Sequence, residues 1–99
     1  MAKYAWIVTQ DYLAGTIDPG SSRVGTIGPR DATPEQVDRL REGRIGDAWL
    51  TKDDDGEKVY AGRIIGDFEG FEPLDDFAEP DAGATAIFYK GASGAWEQL

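Results

Sequence analysis

The sequence predicts a single α+β domain over residues 1–99, in which a mainly antiparallel sheet of four to six strands packs in two layers against one short helix. Three observations predict this fold class. Short apolar runs are joined by tight-turn sequences at residues 53–56 and 91–94, as in β-hairpins. A single strong helix start lies at Thr33 and Pro34. A chain of 99 residues has room for one modest core, so we expect no second domain.

The first predicted element is a strand at residues 3–10 (KYAWIVTQ). Apolar side chains occupy both alternating sets of positions, which is typical of a central strand covered on both faces. Residues 14–22 predict a loop, because they contain the turn sequence Asp18-Pro19-Gly20. We expect a short second strand at residues 23–27, ended by Gly28-Pro29.

The predicted helix spans about residues 34–42. Thr33 is a favoured N-cap residue, and Pro34 suits the first helical position. Gln36 lies three residues after Thr33, as in a capping box. Gly43 is a natural residue at which to end a helix. No other part of the chain combines these signals, so one helix is predicted.

Two β-hairpins are predicted in the second half of the chain. Residues 44–52 and 57–66 flank the pair Asp55-Gly56, which favours a two-residue type I′ turn. Residues 85–90 and 95–99 flank a second turn that contains glycine at both ends. Successive strands joined by tight turns predict an antiparallel sheet.

The three tryptophans come from three different predicted strands. Trp6, Trp49 and Trp96 are many for a chain of this length, and a shared aromatic core is the simplest explanation. Trp96 lies close to the last residue, so we expect it to be partly exposed. Tryptophan is a favoured anchor at protein interfaces, so Trp96 is a candidate contact with a partner.

Residues 67–81 (DFEGFEPLDDFAEPD), hereafter the acidic segment, are the most informative part of the sequence. They contain seven acids and no lysine or arginine, while Phe68, Phe71, Leu74 and Phe77 recur at every third position. A solvated acidic tail has no use for phenylalanines, and a buried element does not carry this much charge. The acidic segment therefore predicts one packed side and one strongly negative side. The residues predicted to bind a partner are Asp67, Glu69, Phe71, Glu72, Asp75, Asp76, Phe77, Glu79 and Asp81.

Three interpretations of the acidic segment are open at this point. In the first, it is a long loop whose apolar residues cover an otherwise open sheet edge, with its acids in solvent. In the second, it presents a protein-binding surface, with Phe71 or Phe77 as an anchor if either is exposed. In the third, its carboxylates mimic the phosphates of a DNA strand, spaced ~6–7 Å apart, and occupy a basic groove.

The formal charge of −9 is concentrated towards the end of the chain. Residues 1–66 carry a net charge of −2, and residues 67–99 carry −7. Direct binding of nucleic acid is disfavoured, because phosphate contacts need clustered lysine and arginine. A basic protein, including one that itself binds nucleic acid, is the compatible partner. We expect a cytoplasmic protein without a membrane partner, because no stretch resembles a signal peptide or the ~20 apolar residues of a membrane span.

We expect no enzymatic activity, no cofactor and no metal site. The chain contains no cysteine and no histidine, so it lacks a thiol and the commonest general base and metal ligand. Residues 53–57 (DDDGE) resemble part of a calcium loop, but EF-hand spacing would place Thr51 and Gly62 at the first and last ligand positions. The paired acids Asp75-Asp76 would need a cleft for acid–base catalysis, and nothing in the sequence indicates one.

Several segments resemble small uncharacterised acidic proteins of bacterial and phage genomes. The similar stretches are residues 6–13 (WIVTQDYL), 28–32 (GPRDA), 54–57 (DDGE), 72–77 (EPLDDF) and 96–97 (WE). The resemblance implies a small stand-alone protein of a phage or another mobile element. It implies no particular activity, so no catalytic residue is carried over.

The expected function is non-enzymatic binding, by an accessory or inhibitor protein that engages a basic protein surface through the acidic segment. Two alternatives stay open. One is a structural protein that forms a homo-oligomer through its sheet edge or its aromatic residues, with the acids keeping the assembly soluble. The other is a DNA mimic that inhibits a nucleic-acid-binding protein.

Overall fold

The computed structural model describes residues 3–13, 22–43 and 45–99. Within these residues the centre is a six-stranded antiparallel sheet with the order β2-β1-β4-β3-β5-β6, which confirms the predicted α+β class. In chain order the elements are β1 (Tyr4–Asp11), β2 (Ile27–Gly28), helix α1 (Pro34–Glu42), β3 (Asp47–Lys52), β4 (Lys58–Gly66), a π-helical turn (Leu74–Ala78), helix α2 (Glu79–Ala82), β5 (Ala86–Lys90) and β6 (Trp96–Gln98).

β1 is a central strand, as its sequence predicts. It pairs with β2 on one side and with β4 on the other. The four consecutive residues from Ala5 to Val8 are all buried. Burial of both alternating sets requires cover on both faces of the sheet, and a helical segment lies on each face.

The first face of the sheet carries the larger core. Trp6, Trp49, Ile64 and Ile87 belong to one buried cluster, and Leu74 of the π-helical turn packs into it. The second face carries a smaller cluster, in which Leu40 of α1 packs against residues of β1 and β4. The sheet is therefore a middle layer, because a second helical segment that the sequence did not predict covers its first face.

Helix α1 begins and ends as predicted. The Thr33 hydroxyl accepts a hydrogen bond from the backbone N–H of Gln36 at 3.2 Å, and the Gln36 side chain accepts one from the N–H of Thr33 at 2.8 Å. These reciprocal bonds form the predicted capping box. Gly43 has a φ of 81° and donates its N–H to the carbonyl of Leu40.

The turn between β3 and β4 differs from the predicted type I′ turn. The N–H of Gly56 donates to the carbonyl of Asp53, so Gly56 is the fourth residue of the turn. Its φ of 79° is left-handed, which is typical of a three-residue loop with a bulge. The Asp53 carboxylate accepts from the N–H groups of Asp55 and Glu57, each at 2.9 Å, and this side-chain bonding selects the longer loop.

β2 is shorter than predicted and lies later in the chain. Residues 23–26 form a turn instead, in which the N–H of Thr26 donates to the carbonyl of Arg23 and Gly25 has a φ of 93°. The peptide bond between Gly28 and Pro29 is cis. The predicted turn Asp18-Pro19-Gly20 lies outside the described residues.

A close approach of backbone and side chain at Gly62 fixes the centre of the first face. A Cβ atom at Gly62 would lie 2.6 Å from Cζ2 of Trp49 and would also meet the carbonyl oxygen of Ile7. Both atoms, Cζ2 of Trp49 and the carbonyl oxygen of Ile7, would be closer to that Cβ than van der Waals contact allows. Glycine at this position of β4 therefore allows the indole of Trp49 to lie flat against the sheet.

Thr51 is a buried polar residue at the irregular end of the β3–β4 pairing. Its hydroxyl accepts from the N–H of Tyr60 and donates to the carbonyl of Tyr60, each at 3.1 Å. These bonds replace ladder bonds where the register of the two strands shifts. Thr51 therefore supplies hydrogen bonds to the N–H and carbonyl of Tyr60, which have no backbone partner in β3 at the register shift.

We expect Thr51→Val to lower the free energy of unfolding by about 1–3 kcal/mol, because it leaves the buried N–H of Tyr60 without a partner. Urea denaturation followed by far-ultraviolet circular dichroism measures the change. The control is Thr9→Val, the same substitution at an exposed strand position whose hydroxyl makes one long bond of 3.4 Å. Equal losses for the two variants would contradict the assignment.

Candidate functional site

The acidic segment packs on the first face of the sheet, and the expected long loop over a sheet edge is wrong. The segment contains the π-helical turn and α2. Leu74 and Ala78 are buried in the cluster of the first face, and Phe77 packs against it. These three residues have the spacing i, i+3, i+4, which places them on one side of a helix. In the sequence, the phenylalanines and Leu74 recur at every third position, and this regular spacing does not indicate the i, i+3, i+4 pattern of a helix.

Pro80 explains why the turn that precedes it is a π-helical turn, which is wider than a turn of α-helix. Proline has no N–H to donate, and in an α-helix its ring clashes with the carbonyl four residues earlier, here Asp76. In the structure the N–H of Glu79 donates to the carbonyl of Leu74, five residues earlier. This wider turn removes the clash, and the carboxylates of Asp75 and Glu79 remain exposed on its outer side.

Phe77 attaches the segment to the centre of the sheet. Its ring centroid lies 5.4 Å from that of Trp6 on β1 and 5.1 Å from that of Tyr60 on β4. Phe68 stacks in a similar way on Tyr89 of β5, at 6.1 Å. Such aromatic contacts are worth about 0.5–1.5 kcal/mol each beyond the burial of area. Phe77 is therefore a structural contact of the segment, and it is not an exposed anchor.

Two of the predicted partner-binding acids hold the segment to the sheet. The Asp76 carboxylate accepts hydrogen bonds from the Tyr4 hydroxyl at 2.7 Å and from the Trp6 indole N–H at 3.1 Å. The Asp81 carboxylate accepts from the Tyr60 hydroxyl at 2.5 Å. Arg23 also donates to Asp81, at 3.2 Å. No local pattern in the sequence distinguishes these two acids from their neighbours.

A third acid, Glu72, orders the start of the segment. Its two carboxylate oxygens accept from the backbone N–H groups of Glu69 and Gly70, at 2.7 and 2.6 Å. The hydroxyl of Tyr89 donates to the carbonyl of Gly70 at 2.7 Å. The segment is thus bonded to the sheet or to itself near its start, middle and end.

The three tyrosines that hold the segment have altered acidity. Burial is the largest cause that raises the pKa of Tyr4, Tyr60 and Tyr89 well above the ordinary value. For Tyr4 and Tyr60, the hydrogen bonds to Asp76 and Asp81 raise the pKa further, because a phenolate cannot donate to a carboxylate.

The remaining acids of the segment have no internal partner. The carboxylates of Asp67, Glu69, Asp75 and Glu79 are exposed and make no hydrogen bond or ion pair with another described residue. Phe71 lies among them in the chain with 46% of its surface exposed. We call these five residues the acidic surface. They are the predicted site residues that the structure leaves available to a partner.

Leu99 extends the apolar part of the acidic surface, and the sequence did not indicate it. Its side chain packs on Gly70, next to Phe71 in the chain, and half of its surface is exposed. A Cβ atom at Gly70 would collide with Leu99. No pattern in the sequence links residues so far apart, since the contact depends on β6 returning beneath the start of the acidic segment.

The described residues form no group of three acids close enough to hold a metal ion. One depression beside the acidic surface is open to solvent and has a volume of about 320 Å³; it is lined by Lys3, Tyr4, Asp67, Phe68, Glu69 and Glu72. No helix in the described part of the chain is both long and apolar enough to cross a membrane. The arrangement offers a charged surface with an exposed aromatic ring.

The chain was also compared with known proteins. No family model, curated protein or solved structure matches it.

We expect Asp76→Ala to lower the free energy of unfolding by about 1–3 kcal/mol, since the part-buried indole N–H of Trp6 and the hydroxyl of Tyr4 both lose a charged acceptor. Asp75→Ala is the matched control, because it removes the neighbouring carboxylate, which has no internal partner, and should change stability by less than about 0.5 kcal/mol. Chemical denaturation followed by tryptophan fluorescence measures both. A loss of equal size in the control would contradict a holding role for Asp76.

We expect stability to fall as the pH rises above about 10. The pKa values of Tyr4, Tyr60 and Tyr89 are higher in the folded chain than in the unfolded chain, so their neutral phenols stabilise the fold fully below that pH. The unfolded chain ionises first, and the stabilisation is lost as the pH rises towards the folded values. Urea midpoints between pH 8 and 11.5 measure this loss. Tyr89→Phe should reduce the slope, and an unchanged slope would contradict the assignment.

Proposed function

We propose that this chain is a small, non-enzymatic binding protein that engages a basic protein surface through its acidic surface. One observation carries the proposal. The exposed carboxylates of Asp67, Glu69, Asp75 and Glu79 and the exposed ring of Phe71 lie on a segment that is bonded to the sheet at several points. Mere solubility would not require this charge to be ordered around an exposed aromatic residue.

The partner that fits this surface carries clustered lysine or arginine around an apolar pocket for Phe71. Long-range attraction between opposite charges mainly accelerates association, and salt weakens it. A buried aromatic ring supplies much of the affinity in such interfaces. The segment is ordered before binding, so it loses little conformational entropy when the partner docks.

We also propose that the protein acts in the cytoplasm, as an accessory or inhibitor protein of a phage or another mobile element. The resemblance to small acidic proteins of bacterial and phage genomes supports an accessory or inhibitor role in the cytoplasm. Nucleic acid and membranes are not proposed as direct partners, because both would meet a net charge of −9. A DNA mimic is the special case in which the basic partner itself binds DNA.

We expect immobilised protein to capture a basic protein from host lysate at low salt and to release it in a salt gradient. Asp75→Lys with Glu79→Lys should abolish capture, because it reverses two of the four exposed charges of the acidic surface. The control is Asp54→Lys with Asp55→Lys, which changes the net charge equally in the turn between β3 and β4. Asp76 is unsuitable for this test because it holds the segment to the sheet.

Capture that survives the reversal at residues 75 and 79, or that is lost equally in the control, would refute binding through the acidic surface. A duplex DNA competitor then separates the two versions of the proposal. Displacement of the captured protein by DNA supports the mimic, and continued binding supports a basic site distinct from the DNA site.

A further inference from the structure

The second face of the sheet is only half covered in the described part of the chain. Helix α1 packs on β1 and β4 at one side of this face. The π-helical turn and α2 belong to the first face. The buried cluster that contains Leu40 of α1 includes no residue of β3, β5 or β6. Leu50, on the second face of β3, is 2% exposed.

Two lysines and two aromatic rings dominate this uncovered half, hereafter the lysine face. The ammonium group of Lys52 lies 4.7 Å from the ring centroid of Phe88, and that of Lys90 lies 5.3 Å from the ring of Trp96. The strand pairing places all four side chains on the same face as Leu50. Trp96 is 38% exposed, which confirms the predicted partial exposure. The predicted aromatic core of all three tryptophans is wrong, because Trp6 and Trp49 belong to the buried cluster of the first face and Trp96 does not.

The lysine face is the opposite of the acidic surface in charge. No acid occupies the positions of β3, β5 and β6 that point to it. This is unusual for a chain with 19 acids and 10 bases. Asp75 and Glu79 of the acidic surface lie over the first face, and the lysine face is part of the second face. The two surfaces approach each other at the end of β5, where Glu69 and Lys90 line one depression. Each surface combines exposed charge with an exposed aromatic ring.

We infer that the lysine face of one molecule docks on the acidic surface of a second copy. Lys52 and Lys90 then meet exposed carboxylates such as Asp75 and Glu79, while Phe71 lies against the ring of Trp96. The inference goes beyond the proposed function but rests on the same acidic surface as the site of docking. Self-association would therefore compete with the basic partner for that surface.

The geometry determines the kind of assembly. Two different surfaces of the same chain make a head-to-tail contact, and each added copy leaves one surface of each kind free. The domain measures 34 × 33 × 22 Å, so half of one side offers less than the ~800 Å² that each partner buries in a standard interface. We therefore expect weak, concentration-dependent association and not an obligate dimer.

Salt affects this association in two opposing ways. Two molecules of net charge −9 repel each other at long range, and this repulsion falls within about 8 Å at physiological ionic strength. Contacts between adjacent opposite charges are screened less. Association should consequently be strongest at intermediate salt, near 0.15 M, and weaker at very low and very high salt.

The test uses two variants that each retain one surface. Lys52→Glu with Lys90→Glu destroys the lysine face, and Asp75→Lys with Glu79→Lys destroys the acidic surface. Analytical ultracentrifugation of the native chain should show association that grows with concentration, and each variant alone should be monomeric. An equimolar mixture should regain association, because one copy supplies the intact lysine face and the other the intact acidic surface.

A monomeric native chain at up to millimolar concentration would overturn the inference, as would two variants that fail to associate when mixed. Arg39→Glu with Arg41→Glu is the matched control, because it makes the same change of charge at exposed positions of α1, away from the lysine face, and it should associate like the native chain. Far-ultraviolet circular dichroism confirms that each variant is folded.

The same variants separate this inference from the proposed function. The variant with glutamate at positions 52 and 90 should still capture the basic partner, because its acidic surface is intact. If the native chain captures the basic partner but does not self-associate, only the inference is overturned. If the native chain self-associates but captures no basic partner, only the proposed function is overturned.

Discussion

The docking of one phenylalanine and one aspartate on two central strands determines the character of this domain. Phe77 packs against Trp6 and Tyr60, and Asp76 accepts hydrogen bonds from Tyr4 and Trp6. Without these contacts the most acidic part of the chain would be a solvated loop, and the first face of the sheet would expose its largest aromatic residues. With them, an apolar face is covered and the negative charge is held at a fixed position.

Strand alternation then divides the molecule into two unlike sides. Neighbouring residues such as Trp49 and Leu50 point to opposite faces, so a single strand contributes to the covered core and to the uncovered lysine face. The carboxylates of Asp75 and Glu79 lie on the other side of the sheet from Lys52, and Glu69 is the acid of the segment that lies beside Lys90. A net charge of −9 therefore describes the whole chain poorly, since the two kinds of charge are unevenly distributed over the two sides of the sheet.

The sequence predicted the fold class, β1, α1 and the positions of both hairpins, because these depend on local signals such as alternation, the capping box at Thr33 and glycine-containing turns. It also located the acidic segment and its two-sided character. It did not reveal the helical form of that segment, since Pro80 argues locally against a helix and packing on the sheet stabilises the wider turn. The separate roles of Asp75 and Asp76 depend on long-range bonds from β1, which no local pattern contains.

The donors that hold the acidic segment have one more consequence. Phenol and indole groups are neutral, so Tyr4 and Trp6 fix Asp76 without cancelling its charge, whereas a lysine or arginine at the same place would have formed an ion pair. Among the acids of the segment, and within the described residues, Asp81 is the one that pairs with a cation, Arg23. The groups that hold Asp76 in place therefore do not neutralise its charge. A carboxylate here can stabilise the domain and still contribute its full charge to the electric field that an approaching molecule encounters.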